Sequence, residues 1–247
     1  MFFKKKQITP QINFKDIGLD FHAHWLPGVD DGCKTIVESV EILTKMKNLG
    51  YSKFIASPHI MGERYTNTKE DLLLKFGEFI SKHEITNLNL DLGLAAEYLL
   101  DEKFEEKLVA NDFLTIGNNY ILVETSMNYD FPFVRDYIYQ LLKLGYRPIL
   151  AHPERYRYIT AEKNYIDIYE SMLNWGVEFQ LNLFSLAGLF GTEAEKAATK
   201  LIDLGYYSYV CSDIHLPHQI KLFDTVQKSI FLDKLIQSKQ LKNNQFL

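Results

Sequence analysis

Short apolar runs alternate with longer amphipathic stretches along the chain. The runs are GLDFHAH from Gly18, KFIASPH from Lys53, LNLDLGLAAEY from Leu88, YILVET from Tyr120, RPILAHP from Arg147, EFQLNL from Glu178 and YYSYVCSD from Tyr206. Their length and apolar content predict strands buried in a parallel sheet. The stretches between them predict helices. Thr35–Leu49 is amphipathic and stops at Gly50, and Lys69–His83, Phe131–Leu144, Tyr165–Trp175 and Glu193–Leu204 follow the same pattern. Gly145, Gly176 and Gly205 stand directly after the last three, where a left-handed residue ends a helix. Strand and helix alternate about seven times, which predicts an α/β fold around a parallel sheet. Periodicity leaves open whether that sheet closes as a barrel or is doubly wound. The interval from Glu97 to Leu122 is less regular, and its local structure is undecided.

Composition narrows the class. The 247 residues are 47% hydrophobic and 24% charged, enough apolar content for a buried core and too much for wholesale disorder. The net charge of −5 offers no basic excess for neutralising nucleic-acid phosphates. Two cysteines, Cys33 and Cys211, do not make a disulfide framework. No stretch approaches the roughly 20 apolar residues of a membrane span. In MFFKKKQITPQ the lysines follow the aromatics, unlike a signal peptide, so the expected compartment is the cytoplasm.

The polar residues carry the chemistry through their position. In a parallel barrel, reactive groups stand at the C-terminal ends of strands. Here His22 and His24 close the first run, His59 the second, Glu97 the third, Glu124 the fourth and His152 the fifth. Asn182 closes the sixth, and Asp213 with His215 the seventh. A lone histidine after a strand is more often a hydrogen-bonded core or loop residue than a ligand. The HxH pair is stronger, because strand alternation turns both imidazoles to one face. Asp213 and His215 repeat the spacing, and in a closed barrel the first and last strands are neighbours. Imidazole with carboxylate, and no thiolate, suits Mn, Fe, Zn or Mg better than a structural zinc site. So many ligands exceed one ion's needs and imply two or three ions about 3.5–4 Å apart. In LPGVDDG, one of Asp30 and Asp31 could complete a metal site, and Asp30 reads better as an Asp-Gly turn capping the next helix. His83 and His218 read as solvated.

Arg155, three residues past His152, could hold phosphoryl oxygens bidentately, or be an ordinary surface arginine. Arg64 and Arg157 are weaker candidates. Tyr65, Tyr129, Tyr156 and Tyr158 could wall a substrate ring or could simply pack. Neither cysteine starts a C-x5-R phosphate cradle. No GxxxxGK[ST] loop and no GxSxG elbow is present.

DFHAHWLPGVDDG, ASPH, AEYLL, LVET, AHPERY, QLN and CSDIH together resemble the polymerase and histidinol phosphatase (PHP) family. They resemble most its capsule and exopolysaccharide branch of bacterial manganese-dependent tyrosine-protein phosphatases. The likeness runs from Gly18 to about Leu216 in its motifs. It implies a distorted seven-stranded parallel (β/α) barrel of the PHP type, one domain over residues 1–247, with residues 1–17 as an N-terminal extension. It implies metal-ligand roles for His22, His24, Asp31, His59, Glu97, Glu124, His152, Asp213 and His215, and phosphate binding for Arg155. The implied cofactor is Mn2+, with Fe, Zn or Mg as alternatives. The implied reaction is attack of metal-activated hydroxide on a phosphomonoester, with Arg155 stabilising charge and His215 or Asp213 protonating the leaving oxygen. The implied partner is the tyrosine-bearing tail of a bacterial tyrosine autokinase, with neither nucleic acid nor membrane insertion. The extension departs from the branch and suggests a capped entry to the first strand or a contact between copies. Histidinol phosphate hydrolysis and a metal-binding module without turnover are the rival readings.

Overall fold

The computed structural model describes residues 11–130 and 132–247. Among the described residues, nine strands run as β1 (Leu19–Asp20), β2 (Lys53–Ala56), β3 (His59–Ile60), β4 (Asp91–Leu94), β5 (Glu97–Leu99), β6 (Tyr120–Glu124), β7 (Arg147–Ala151), β8 (Glu178–Asn182) and β9 (Tyr207–Cys211). All strand pairings are parallel, in a sheet of order β1-β2-β4 and one of order β3-β5-β6-β7-β8-β9. The α/β class and the parallel pairing agree with the sequence pattern. The count differs from the seven-strand expectation because the second and third runs each break in two. Pro58, which has no N–H to give to a ladder, lies in the first break. Hydrogen bonds still cross both breaks, from Ala95 N to Ala56 O (2.8 Å) and from Glu97 N to Pro58 O (3.0 Å).

The first and last runs meet without a regular ladder. Ala23 and Ile214 form a single parallel bridge, and Asp213 N donates to His22 O at 2.7 Å. Elsewhere side chains join them. Ser212 N donates to Asp20 Oδ2 at 2.9 Å, and the buried amide of Asn243 donates to Leu19 O (3.0 Å) and Val210 O (2.8 Å).

Helices lie where the periodicity predicts them, with ends set by local chemistry. Ile36–Leu49 starts in a capping box between Thr35 and Glu38 and ends on Gly50 at φ 114°. Lys69–Ile80 is capped by Thr68, and Val134–Lys143, Tyr165–Asn174 and Thr192–Leu204 follow. The undecided interval contains a short helix, Phe104–Ala110, ending on Asn111 in the left-handed region. A helix at Ile230–Gln237 has no counterpart in the expected elements. Residues 1–10 of the N-terminal extension lie outside the described residues. In the remainder, Phe14 is buried, stacked on Tyr51 and edge-on to Phe223.

Candidate metal centre

The strand ends converge on one buried cluster. His22, His24, Glu97, Glu124, His152 and Asp213 are almost fully buried, His59 nearly so, while Asp31 and His215 sit on its open side. Two backbone positions show how tightly the geometry is set. His152 (φ 36°) and Asp213 (φ 50°) both occupy the left-handed region, uncommon for residues with a Cβ.

Carboxylate and imidazole atoms face each other throughout. Glu97 Oε2 lies 3.2 Å from His22 Nε2 and 3.0 Å from His59 Nδ1, and Glu97 Oε1 lies 3.0 Å from His152 Nε2. Asp213 Oδ1 lies 3.2 Å from both His22 Nε2 and His24 Nε2. Asp31 Oδ1 is 3.4 Å from His59 Nε2 and 3.6 Å from His215 Nε2. Glu124 Oε1 is 3.2 Å from His59 Nδ1. Ligand-type atoms fall into three groups, each within 4.8 Å: His24, Asp31, His59 and His215; His22, His24, Glu97 and Asp213; His59, Glu97 and Glu124. His24, His59 and Glu97 each belong to two groups, as bridging positions in a multinuclear site would.

Partnerless atoms provide the test of fit. His22 Nε2, His24 Nε2, His59 Nδ1, Glu97 Oε2, Glu124 Oε1, Asp31 Oδ1 and Asp213 Oδ1 are buried and make no hydrogen bond. Leaving one buried polar atom unsatisfied costs roughly 1–3 kcal/mol. Seven such atoms pointing at one another fit divalent cations, and the oxygen and nitrogen donors suit Mn, Fe, Zn or Mg. The electrostatics show how strongly these groups face one another, and a cation bound here would take the place of the imidazole protons. Burial opposes a charge on His22, but Glu97 and Asp213 outweigh it and push the imidazole up to about 10. Burial likewise opposes ionised Glu97 and Asp213, and the facing imidazoles hold both well below the usual carboxylate range. These carboxylates therefore stay ionised and able to bind cations.

Residues behind the cluster fix its donors. Gln180 Oε1 meets His22 Nδ1 at 2.8 Å and Asp30 Oδ2 meets His24 Nδ1 at 2.7 Å, so both rings turn Nε2 inward. Asp30 is thus misread as a helix cap: Thr35 caps the helix, and Asp30 is buried, accepting also from Gly32 N (2.8 Å) and His59 N (3.1 Å). Asp213 Oδ2 accepts from Arg155 and from the Asn182 amide, both at 2.8 Å, leaving Oδ1 to the cluster. Buried Glu154 accepts from Asn182 N, Ser185 Oγ and Tyr207 OH, which ties the loop carrying His152 and Arg155 to the end of β8. Gln180 and Glu154 were not among the expected site residues. Gln180 had a signal: with Asn182 it places two polar side chains on one face of an apolar strand.

A cavity of about 580 Å3 opens over the cluster, lined by Asp31, His59, Glu124, His152, Arg155 and His215. Tyr65 stacks on His59 at 5.5 Å, and Tyr129 stands exposed at the rim. Tyr156 is not a substrate wall, being fully buried with its hydroxyl on Ala151 O. Arg64 is largely exposed, 4.0 Å from Asp31. His83 is exposed, and both cysteines are buried and free.

Residues 18–228 match the model of the capsular polysaccharide synthesis family CpsB/CapC. CapC of Staphylococcus aureus is 31% identical over 198 residues, 80% of this chain and 76% of that protein. YwqE of Bacillus subtilis, named a tyrosine-protein phosphatase, is 28% identical over 199 residues, 80% and 77% of the two chains. Among solved structures, one described with YwqE of Bacillus subtilis and CpsB of Streptococcus pneumoniae as metal-dependent tyrosine phosphatases superposes with a TM-score of 0.73. It is 24% identical and covers 89% of this chain and 91% of that one, a likeness of fold.

Proposed function

The chain belongs to the CpsB/CapC family of capsular polysaccharide synthesis, and we propose that it is a metal-dependent phosphomonoesterase acting on phosphotyrosine in protein. The observation that carries this reading is the set of buried, partnerless donor atoms beneath a cavity that Arg155 also lines. The names of its relatives point the same way. The proposed ligands are His22, His24, Asp31, His59, Glu97, Glu124, His152, Asp213 and His215, for two or three ions, Mn2+ by preference. Cations held there supply a water nucleophile at neutral pH and neutralise phosphoryl charge.

The chain's own groups do the rest. Arg155 offers its remaining N–H donors to the phosphoryl oxygens, while NH1 stays on Asp213. Of the two proton donors considered, Asp213 has Oδ2 held by two donors and Oδ1 turned to the imidazoles. His215 is no better supplied: burial and the neighbouring His24 push it down to about 4, its Nδ1 meets Asp213 O at 2.9 Å and its Nε2 faces Asp31, so it serves as a neutral ligand, and a phenolate leaves with little help. The surrounding frame is read as one distorted, closed seven-strand barrel over residues 1–247, with residues 1–17 as an extension. The Ala23–Ile214 bridge and the Asp20 and Asn243 side chains between first and last strands support closure. The partner proposed is a tyrosine autokinase tail, met in the cytoplasm. No described helix is long and apolar enough to cross a membrane.

The test uses protein purified without chelator, assayed on p-nitrophenyl phosphate, a phosphotyrosine peptide, the matching phosphoserine peptide and histidinol phosphate. The reading expects the phosphotyrosine peptide to give the highest catalytic efficiency. Preference for histidinol phosphate would make the protein a small-molecule phosphatase, and no turnover on any substrate with metal bound would end the enzymatic reading.

A further inference from the structure

A second cavity, of about 900 Å3, continues from the first. The two share Met127 and Arg155, so a chain whose phosphate lies at Arg155 passes directly from one into the other. The second is lined by the loop after β6, by Arg157 and Thr160 of the turn after Arg155, and by Leu189, Phe190 and Thr192 beyond β8. Phe190 lies under the Arg155 guanidinium, 4.0 Å from its centre, so one wall of this cavity also braces the arginine.

Its free charge is positive. The Arg157 side chain is exposed and takes part in no ion pair or hydrogen bond among the described residues, while its backbone N–H donates to Met127 O. The carboxylates on the lining are already engaged. Glu154 is buried under three donors, and Glu193 pairs with Lys196 at 2.8 Å. Apolar surface from Leu189 and Phe190 stands beside this unpaired cation.

We propose that this cavity is a subsite for the polypeptide flanking the phosphotyrosine, selecting acidic residues through Arg157. The inference rests on the phosphotyrosine reading and extends it from the phosphorylated side chain to the neighbouring chain. A competing arm of the active-site cavity, about 290 Å3 and lined by Lys103, Phe104 and Lys107, is smaller and lies away from Arg155.

The experiment compares metal-loaded wild type with Arg157→Ala, Arg157→Glu and Lys107→Ala. The substrates are p-nitrophenyl phosphate, a phosphotyrosine peptide with acidic neighbours, and the same peptide with those neighbours amidated to Asn and Gln. Arg157 is exposed, so its replacement spares the fold, which unchanged thermal midpoints check. An exposed ion pair is worth up to about fivefold in affinity, so KM for the acidic peptide should rise by about that factor in Arg157→Ala. The rise should be larger in Arg157→Glu and should shrink in high salt. Efficiency on p-nitrophenyl phosphate and on the amidated peptide should stay within about twofold of wild type, since neither offers an anion to Arg157. Equal KM values for both peptides in wild type, or an acidic-peptide KM unmoved by Arg157→Glu, would overturn the subsite. So would Lys107→Ala reproducing the effect, which would send the peptide the other way. Failure of the subsite leaves aryl phosphate turnover intact, whereas failure of the phosphotyrosine reading removes the preference over histidinol phosphate or phosphoserine.

Discussion

Asp30 gives the sharpest test of how the centre is held, because its carboxylate faces three donors and no acceptor. Gly32 N donates to Oδ1 at 2.8 Å, and His59 N (3.1 Å) and His24 Nδ1 (2.7 Å) meet Oδ2. In Asp30→Asn the amide keeps the shape but replaces one acceptor with a donor. If the NH2 group faces Oδ2's partners, it opposes His59 N–H and forces His24 to carry its proton on Nε2, the atom turned toward Glu97 and Asp213. If the amide flips, NH2 opposes Gly32 N–H instead. Either orientation leaves at least one buried donor unsatisfied, a cost of about 1–3 kcal/mol in stability. Loss of the carboxylate behind a ligating histidine lowers metal affinity about 10- to 100-fold. Asp30→Ala strips all three donors and should be worse, by about 3–5 kcal/mol, as when one member of a buried charged pair is removed. Chemical denaturation measures the first quantity, and competition with a chromophoric chelator measures the second. An Asp30→Asn protein with wild-type metal affinity and wild-type midpoint would refute the reasoning and return Asp30 to the role of an ordinary turn residue.

The ligand cluster predicts two to three equivalents of divalent metal per chain, about what three donor groups can hold, with chelation abolishing activity and Mn2+ restoring it. Active protein with one equivalent or less, by elemental analysis, would contradict this. His152→Ala should lose metal and activity together. Arg155→Ala should keep its metal, because Asn182 still holds Asp213 Oδ2, while catalytic efficiency falls about 30- to 1000-fold and phosphate inhibits less well. Cys33 is buried, which pushes its thiol up to about 12, and Cys211 is buried too. Both should resist alkylation at neutral pH, and replacing both with Ser should leave turnover within about tenfold, since no step calls on a thiolate.

Apart from Asp31, which only the family resemblance picked out, the proposed ligands stood out because they interrupt apolar runs at their C-terminal ends, where a parallel sheet places reactive groups. Their supports were harder to see. Asp30 sits in an Asp-Asp-Gly sequence that reads as a turn, and while His24 is six residues away, His59 is brought to it across 29 residues by the helix Ile36–Leu49 and strand β2. Glu154, in the HPER segment, carries no signal of its own in the sequence. Only the packing of β8 and β9 shows that Asn182, Ser185 and Tyr207 converge on it. Helix Phe104–Ala110 escaped because it spans seven residues, too few for a periodicity to stand out. Four of the tyrosines looked equivalent in sequence, yet Tyr156 is core and Tyr129 is rim, a difference set by which way the chain turns after β6 and β7.

Arg155 and the proposed metal ligands are not independent parts. Asp213 Oδ1 faces two imidazoles while Oδ2 holds the arginine and the Asn182 amide, so one carboxylate orients both halves of the site. Glu154 holds the Asn182 backbone from behind and is itself the residue before Arg155. The arginine is therefore fixed twice, once through its own loop and once through Asp213, with Phe190 beneath its guanidinium. A guanidinium has five N–H donors, and a single one is committed to Asp213, so the others remain for a phosphoryl group without breaking the pair. A lysine here would have no planar fork to divide between two partners, which is a physical reason for arginine at this position.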